Sequence, residues 1–218
     1  MATKPLCLII GAGAGVGMAN ARKFGANGYA LVLAARRKSE MERLCGELQA
    51  EGIEASAQVI DAGKPEDVAT AAASLGAVDV MIYNAAGVSM ATPMALTPDQ
   101  LVADLNVSVI SALAAAQAVA PAMIKAGRGS ILLTGGGFAL RPMAAMASLG
   151  IGKAAIRNLA WSLAEELGPK GIRVGTVTIL GIVKPGTALD PAAIAEAFWQ
   201  LHADRLNTLG IEIQFTGQ

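Results

Sequence analysis

The chain has 218 residues and a formal net charge of zero; 54% of its residues are hydrophobic, but only 4% are aromatic. This length predicts one domain, residues 1–218, with a core large enough to need no disulfide. The balanced charge argues against a nucleic acid or an anionic membrane as a partner. The first apolar run, Leu6–Ile10, is too short for a signal peptide or a membrane span. Cys7 within that run is typical of a reducing compartment, so we expect a cytoplasmic protein.

Short apolar runs alternate with longer stretches of helical periodicity along the whole chain. In chain order, the predicted elements are strand 6–10, helix 15–27, strand 29–34, helix 39–51, strand 55–60, helix 65–75, strand 78–83, helix 98–126, strand 130–134, helix 143–167, strand 173–179, helix 191–206 and strand 211–215. This alternation predicts an α/β fold with a single doubly wound parallel sheet of the Rossmann type, flanked by helices on both faces.

A glycine-rich turn, residues 11–17, separates the first predicted strand from the first predicted helix. Its glycines permit positive φ angles and let the backbone come close to a pyrophosphate, whose charge the N–H groups at the helix start would hold. The spacing is G-x-x-x-G-x-G at Gly11, Gly15 and Gly17, not the general dinucleotide spacing G-x-G-x-x-G. A flexible glycine loop without a ligand is the alternative, but the strand before it and the helix after it favour phosphate binding.

Two arginines follow the second predicted strand. An acidic residue at this point would accept hydrogen bonds from the ribose 2′-hydroxyl of NAD, whereas a guanidinium pairs bidentately with a phosphate. The chain has Ala35 and then Arg36 and Arg37. The sequence therefore favours NADP(H) over NAD(H), with a solvated basic helix start as the alternative interpretation.

From the glycine spacing onward, the chain resembles the short-chain dehydrogenase/reductase family almost from end to end. Segment 79–86 looks like the family's D-V-L-V-N-N-A-G, Lys153 matches the lysine of its Y-x-x-x-K motif, and 172–174 looks like the start of its sixth strand. The resemblance implies catalytic roles for Asn106 and Lys153 and places Asp61 beside the adenine. The predicted cofactor-binding residues are Gly11, Ala14, Gly15, Val16, Gly17, Arg36, Arg37, Asp61, Ala62, Asn84, Ala85, Thr134, Lys153, Gly181 and Ile182.

Two catalytic residues of the family are missing at the positions that the resemblance assigns to them. In the family, a tyrosine four residues before the lysine transfers the proton, and a serine thirteen residues further back binds the carbonyl oxygen. These positions hold Leu149 and Gly136, and no tyrosine follows Tyr83. Ser148 is adjacent, but it points about 100° away from the helix face that carries Lys153.

The sequence leaves three functions open. The first is an NADP(H)-dependent oxidoreductase for an apolar carbonyl or alcohol, in which Lys153 or an ordered water supplies the proton. The second is a non-catalytic NADP(H) sensor or scaffold, because both catalytic residues are missing. The third is an inactive partner subunit of an active homologue. We expect the oxidoreductase, with an open apolar pocket. The residues expected to line it include Phe138, Met143, Met146 and Leu149.

The remaining expectations concern partners and metals. The substrate is expected to be a small molecule. The resemblance implies a homodimer or homotetramer, with Trp161 buried by the partner. No metal site is predicted. His202, the only histidine, is expected at the surface or an interface.

Overall fold

The computed structural model describes residues 4–204 and 208–217. Within them, seven parallel strands form one sheet in the order β3-β2-β1-β4-β5-β6-β7. The strands are β1 (Leu6–Ile10), β2 (Ala30–Ala35), β3 (Ala55–Val59), β4 (Val80–Tyr83), β5 (Gly129–Thr134), β6 (Ile172–Ile179) and β7 (Glu212–Phe215). The α-helices are α1 (Val16–Ala26), α2 (Lys38–Ala50), α3 (Pro65–Ser74), α4 (Pro98–Leu105), α5 (Ser111–Ala126), α6 (Ala147–Leu167) and α7 (Pro191–Ala203). The predicted doubly wound parallel sheet is confirmed.

The central strands are apolar on both sides because helices cover both faces of the sheet. Successive side chains of a strand point to opposite faces, so β1 contributes to two cores. Leu8 and Ile10 belong to the core beneath α3, α5 and α6, whereas Cys7 and Ile9 belong to the core beneath α1, α2 and α7. Cys7 is buried.

The predicted helix 98–126 is interrupted. α4 ends at Leu105, a π-helical turn follows at Asn106–Ile110, and α5 begins at Ser111. Single π turns are common at functional sites, and an alanine-rich periodicity does not reveal them. By length and composition alone, the span Pro98–Ala126 is long and apolar enough to cross a membrane. Core helices have the same properties, and 44% of the 18-residue apolar stretch in this span is buried within the fold.

Two other predicted helices differ at their ends. A 3-10 turn, Ala144–Met146, precedes α6, so the predicted helix 143–167 is α-helical only from Ala147. The predicted helix 191–206 ends at Ala203, and residues 205–207 lie outside the described part of the chain. Trp161 on α6 is 46% exposed in the single chain, and the homo-oligomer stays a prediction.

His202 is not the surface residue that the sequence suggested. Its Nε2 lies 2.7 Å from the hydroxyl of Tyr29 and its Nδ1 lies 2.8 Å from that of Ser130. The ring also packs against Phe24 and Trp199. The histidine is partly buried and helps to pack the amino ends of β2 and β5, at the edge of the sheet opposite the glycine turn, and a role in an interface stays a prediction.

A charged pair joins the edge strand β7 to α6. Arg157 donates to both carboxylate oxygens of Glu212 at 2.7–2.9 Å, and the hydroxyl of Thr178 donates to Oε1 at 2.6 Å. The side chain of Glu212 is only 6% exposed. Burial opposes its ionisation, but the hydrogen bonds from Arg157 and Thr178 outweigh it and hold the pKa of Glu212 below its usual value.

Because the pKa of Glu212 is lowered in the folded protein, this carboxylate should stabilise the fold more at neutral pH than at acidic pH. A carboxyl with a depressed folded-state pKa stabilises the fold above its unfolded pKa of about 4.3, and the stabilisation is lost as the pH falls through the folded value. We expect Glu212→Gln to lower the free energy of unfolding by about 1–2 kcal/mol at pH 7, because the partly exposed Arg157 loses its partner. Below pH 4 this difference between the variant and wild type should shrink. Thermal melts from pH 3 to 7 measure this, with exposed Glu165→Gln as control; a cost independent of pH contradicts it.

Candidate functional site

The carboxyl end of β1 leads into the glycine turn, residues 11–17, which begins α1. Gly11 has a φ of +80°, and a Cβ there would lie 2.4 Å from the backbone nitrogen of Ala85. Glycine is therefore required at this position both by its left-handed backbone and by the close approach of the loop after β4. Around Gly13 and Gly15, by contrast, a Cβ would meet no atom within 4 Å.

The backbone N–H groups of residues 13–17 donate no hydrogen bond within the part of the chain that the structure describes. They lie at the amino end of α1, where unpaired N–H groups and the helix dipole attract anions. A cleft of about 440 Å³ opens beside them, lined by Ala14 and Gly15 on one side and by Pro185 on the other. The arrangement can bind a phosphate without a charged side chain. Gly13 belongs to this phosphate-binding arrangement, although it was not among the predicted cofactor-binding residues. Its position within the glycine run could have indicated this role.

Gly17 and Val16 contribute differently from the other residues of the turn. Both are buried, and a Cβ on Gly17 would lie 3.0 Å from the Cα of Ala12. Gly17 therefore allows the first turn of α1 to pack beneath the glycine turn, and its side-chain position does not face the open cleft. Only the N–H groups of these two residues are available to a ligand.

Two unpaired arginines lie at the carboxyl end of β2. Arg36 and Arg37 are exposed and form no ion pair in the described part of the chain. Arg36 lines a cleft of about 650 Å³ together with Asp61, which follows β3. The N–H of Gly63 donates to Asp61 at 2.9 Å, and the carbonyl of Ala62 accepts a hydrogen bond from a serine hydroxyl of α5, so this loop is firmly placed.

A chain of hydrogen bonds connects the glycine turn with Lys153. The side-chain amide of Asn84 donates to the carbonyl of Gly11 at 3.0 Å, and the hydroxyl of Thr134 donates to the Asn84 side chain at 2.9 Å. The ammonium of Lys153 donates to the carbonyl of Thr134 at 2.7 Å. These residues meet at the carboxyl ends of β1, β4 and β5, the edge at which doubly wound sheets bind ligands.

Lys153 has no carboxylate within ion-pair distance among the described residues. Burial lowers the pKa of its ammonium to about 8, so both protonation states are populated near neutral pH. Its aliphatic chain runs along Gly136, where a Cβ would lie 3.3 Å from Cγ and Cδ of the lysine. The geometry therefore places the lysine side chain against Gly136, one of the two positions that the resemblance assigns to a hydroxyl-bearing residue.

Asn106 opens the π turn, and its carbonyl accepts the N–H of Ser111. Its side chain makes no hydrogen bond in the described part of the chain. Gly152 of α6 approaches the π turn so closely that a Cβ would lie 3.1 Å from the hydroxyl of Ser108. Asn106 thus belongs to a turn that packs directly against the helix carrying Lys153, without contacting the lysine through a hydrogen bond.

The hydroxyl groups of Tyr83 and Ser148 form hydrogen bonds away from Lys153. Tyr83 is 1% exposed, and its hydroxyl donates to the carbonyl of Val107. Ser148 accepts a hydrogen bond from the N–H of Ser89 at 3.0 Å. Ser148 is therefore bonded to the segment after β4 and not to Lys153. The other tyrosine, Tyr29, lies beside His202 at the opposite edge of the sheet.

The segment after β6 is short and internally bonded. A Cβ on Gly181 would lie 2.4 Å from Leu189, and Ile182 is 86% exposed. The N–H of Lys184 donates to the carbonyl of Leu189 at 3.2 Å, and the hydroxyl of Thr187 donates to that of Lys184 at 2.7 Å. Gly181 and Ile182 thus lie next to a compact turn, which leaves the apolar side of the site open.

The sheet order and the glycine turn define a nucleotide-binding α/β protein of the Rossmann type. The family model for short chain dehydrogenase matches residues 5–193. The chain therefore belongs to the short-chain dehydrogenase family.

Relatives and solved structures extend this assignment. Dehydrogenase/reductase SDR family member 4 from Oryctolagus cuniculus is 28% identical over 89% of this chain and 74% of that protein. The Homo sapiens protein of the same name is 30% identical over 78% of this chain and 63% of that protein, so the chain spans less than two thirds of the human relative. A metagenomic short-chain oxidoreductase (SDR) solved in complex with NADP has a TM-score of 0.87 and 29% identity, covering 96% of this chain and 95% of that one.

The glycine turn gives a direct test of the site. In Gly15→Val, a branched side chain enters the open space beside the free N–H groups, and we expect the affinity for NADPH to fall about 100-fold. Gly17→Val should lower both affinity and melting temperature, because its side chain meets the backbone of Ala12. Gly46→Val on α2, which also meets no atom within 4 Å, is the control. Fluorescence titration and thermal melts measure both quantities, and full affinity in Gly15→Val would contradict the assignment.

Proposed function

We propose that this protein is an NADP(H)-dependent oxidoreductase that interconverts an apolar carbonyl compound and its alcohol. The hydrogen-bond chain from Gly11 through Asn84 and Thr134 to Lys153 carries the proposal, because it fixes a titratable ammonium next to the phosphate-binding turn. Membership in the short-chain dehydrogenase family supports the class of reaction.

The residues of the site fit a nicotinamide dinucleotide phosphate. The free N–H groups of residues 13–17 suit the pyrophosphate, and the unpaired Arg36 and Arg37 suit a 2′-phosphate. Asp61 is assigned to the adenine end, since it shares a cleft with Arg36. When bound, the nicotinamide ring supplies or accepts the hydride.

Lys153 is proposed as the residue that moves the proton. With a pKa of about 8, it is mainly protonated at pH 7 and can donate to the oxygen of a carbonyl being reduced. Oxidation of an alcohol needs the neutral amine instead. The carbonyl of Thr134 holds the ammonium in place. Asn106 is assigned as a positioning residue, because the π turn that it opens packs against α6 beside Gly152.

We assign the positions of the family's tyrosine and serine to Leu149 and Gly136, from the resemblance together with the geometry. Leu149 lies one helical turn before Lys153 on α6, and Gly136 lies against the lysine side chain. A positioned acid contributes about 10² to 10⁴ in rate. The protein is therefore proposed as an atypical member that relies on Lys153 in place of a tyrosine.

The cofactor preference is tested at Arg36. We expect wild type to bind NADPH at least tenfold more tightly than NADH, because a charged hydrogen bond contributes about 1.5–3 kcal/mol. Arg36→Ala should lose most of this difference, while Lys38→Ala, which removes a cation already close to Glu42, should retain it. Fluorescence titrations of each protein with both nucleotides measure the preference. Equal affinities in wild type would refute the interpretation of the end of β2.

The role of Lys153 is tested by pH. If its ammonium donates the proton, kcat for NADPH-dependent reduction of a panel of ketones and aldehydes should fall tenfold per pH unit above about 8. Lys153→Met should reduce kcat about 100-fold or more and remove this dependence. Lys125→Met, at the end of α5, is the control. A wild-type profile that is flat from pH 7 to 10 would assign the proton to another group.

The missing hydroxyl groups can be restored. We expect wild-type turnover below the usual enzyme range of roughly 1–10³ per second and a higher rate in the double variant Leu149→Tyr with Gly136→Ser. The phenol would lie one helical turn from Lys153, whose charge lowers the phenol pKa. The new serine Cβ needs the lysine chain to shift by a few tenths of an ångström. Single variants are the controls, and a silent double variant that still binds NADPH would favour the sensor or scaffold function.

A further inference from the structure

Large apolar side chains are exposed around the open side of the site. They belong to the three segments that follow β4, β5 and β6, and we call them the rim. The rim consists of Val88, Met90, Met94, Leu140, Met143 and Ile182. Met94 is 97% exposed and Ile182 is 86% exposed. A cluster of uncovered apolar groups next to a functional site is typical of a ligand-binding surface.

Contacts between the three segments show that the rim is one surface. The N–H of Ser89 donates to Ser148 at 3.0 Å, which holds the segment after β4 against the start of α6. A Cβ on Gly137 would lie 3.2 Å from the side chain of Leu180, so the segment after β5 lies against the one after β6. The three strands end side by side in the sheet. The rim therefore surrounds the edge at which Lys153 meets Thr134.

Arg141 places a positive charge beside the rim. Arg141 lies between Leu140 and Met143 in the sequence, and it forms no ion pair within residues 4–204 and 208–217. In segments 87–97, 136–146 and 180–190, Asp190 is the only acidic residue. Its carboxylate accepts hydrogen bonds from the N–H groups of Gly186 and Ala192, where it caps α7. The proposed ligand surface thus combines exposed apolar side chains with a guanidinium that forms no ion pair in the described part of the chain.

We propose that the rim binds the substrate as an anionic amphiphile, an aliphatic oxo carboxylic acid whose chain covers the methionines and Ile182 and whose carboxylate pairs with Arg141. This rests on the oxidoreductase function proposed for the site beneath the rim. Methionine side chains are unbranched and flexible, so they adapt to chains of different lengths. Arg141 provides a planar fork of donors that matches a carboxylate. The compact turn at 184–190 leaves room for a chain longer than an enclosed pocket would hold.

The proposal is tested by equilibrium binding without any nucleotide, so that the result does not depend on turnover. Isothermal titration of the full chain with hexanoate, octanoate, decanoate and dodecanoate should show affinity rising two- to fourfold per methylene, because each covered methylene contributes about 0.8 kcal/mol. Decan-1-ol should bind more weakly than decanoate. An affinity that does not change with chain length would overturn the proposal, and so would adsorption to anionic lipid vesicles in place of binding to soluble decanoate.

Matched variants separate the contribution of Arg141 from that of the apolar rim. Arg141→Gln should weaken decanoate about tenfold and leave decan-1-ol unchanged, whereas Met94→Ser with Met143→Ser should weaken both about tenfold. Lys125→Gln and Ile124→Ser, at the end of α5 and the opposite edge of the sheet, are the controls. Equal losses in the controls, or no loss in the rim variants, would overturn the proposal.

The two proposals can fail separately. Suppose that decanoate binding is weakened by the rim variants, but the protein turns over no carbonyl compound with NADPH. This result would support the amphiphile-binding proposal and refute the oxidoreductase function. Turnover of short ketones by a protein that binds no amphiphile would do the opposite.

Discussion

The contact between Gly11 and the backbone of Asn84 and Ala85 is the constraint on which the rest of the site depends. It brings the ends of β1 and β4 closer together than any side chain at position 11 would allow. The amide of Asn84 can then reach the carbonyl of Gly11 and the hydroxyl of Thr134 at once. Because Thr134 in turn accepts from Lys153, the position of the ammonium is set by backbone packing at a phosphate-binding turn. The residues proposed for cofactor binding and for proton transfer are thus joined by one network of hydrogen bonds.

The fold could be predicted from the sequence because its signals are local and repeated. An apolar run such as β1 needs only its own residues and the glycines after it to be identified as a buried strand. The same holds for the glycine turn, whose order of strand, glycines and helix specifies a phosphate site. Lys153, Asn84 and Thr134 were identified one at a time by resemblance. Their mutual hydrogen bonds join residues far apart in the chain, and no local pattern encodes such contacts.

The features that the sequence did not reveal are all decided by tertiary packing. Gly17 looked like a residue that makes room for a ligand, yet its neighbour is the backbone of Ala12. The π turn at Asn106–Ile110 lies within a stretch whose apolar residues keep a helical spacing, so the spacing alone does not reveal it. His202 looked like a polar residue on an exposed helix, but the rings of Phe24 and Trp199 and the hydroxyls of Tyr29 and Ser130 surround it. For His202, the deciding partners come from other elements of the fold.

The compact turn after β6 has a consequence for the kinetics of the site. Enzymes that close a loop over the substrate expel water and often wait for that loop to reopen before the product leaves. Here residues 184–190 satisfy their own hydrogen bonds, through Lys184, Thr187 and Leu189, and have no long segment to fold over the cleft. In the proposed reaction, the product would then leave without waiting for this segment to move. For the proposed oxidoreductase we therefore expect the chemical step, and not the motion of a loop, to limit the rate.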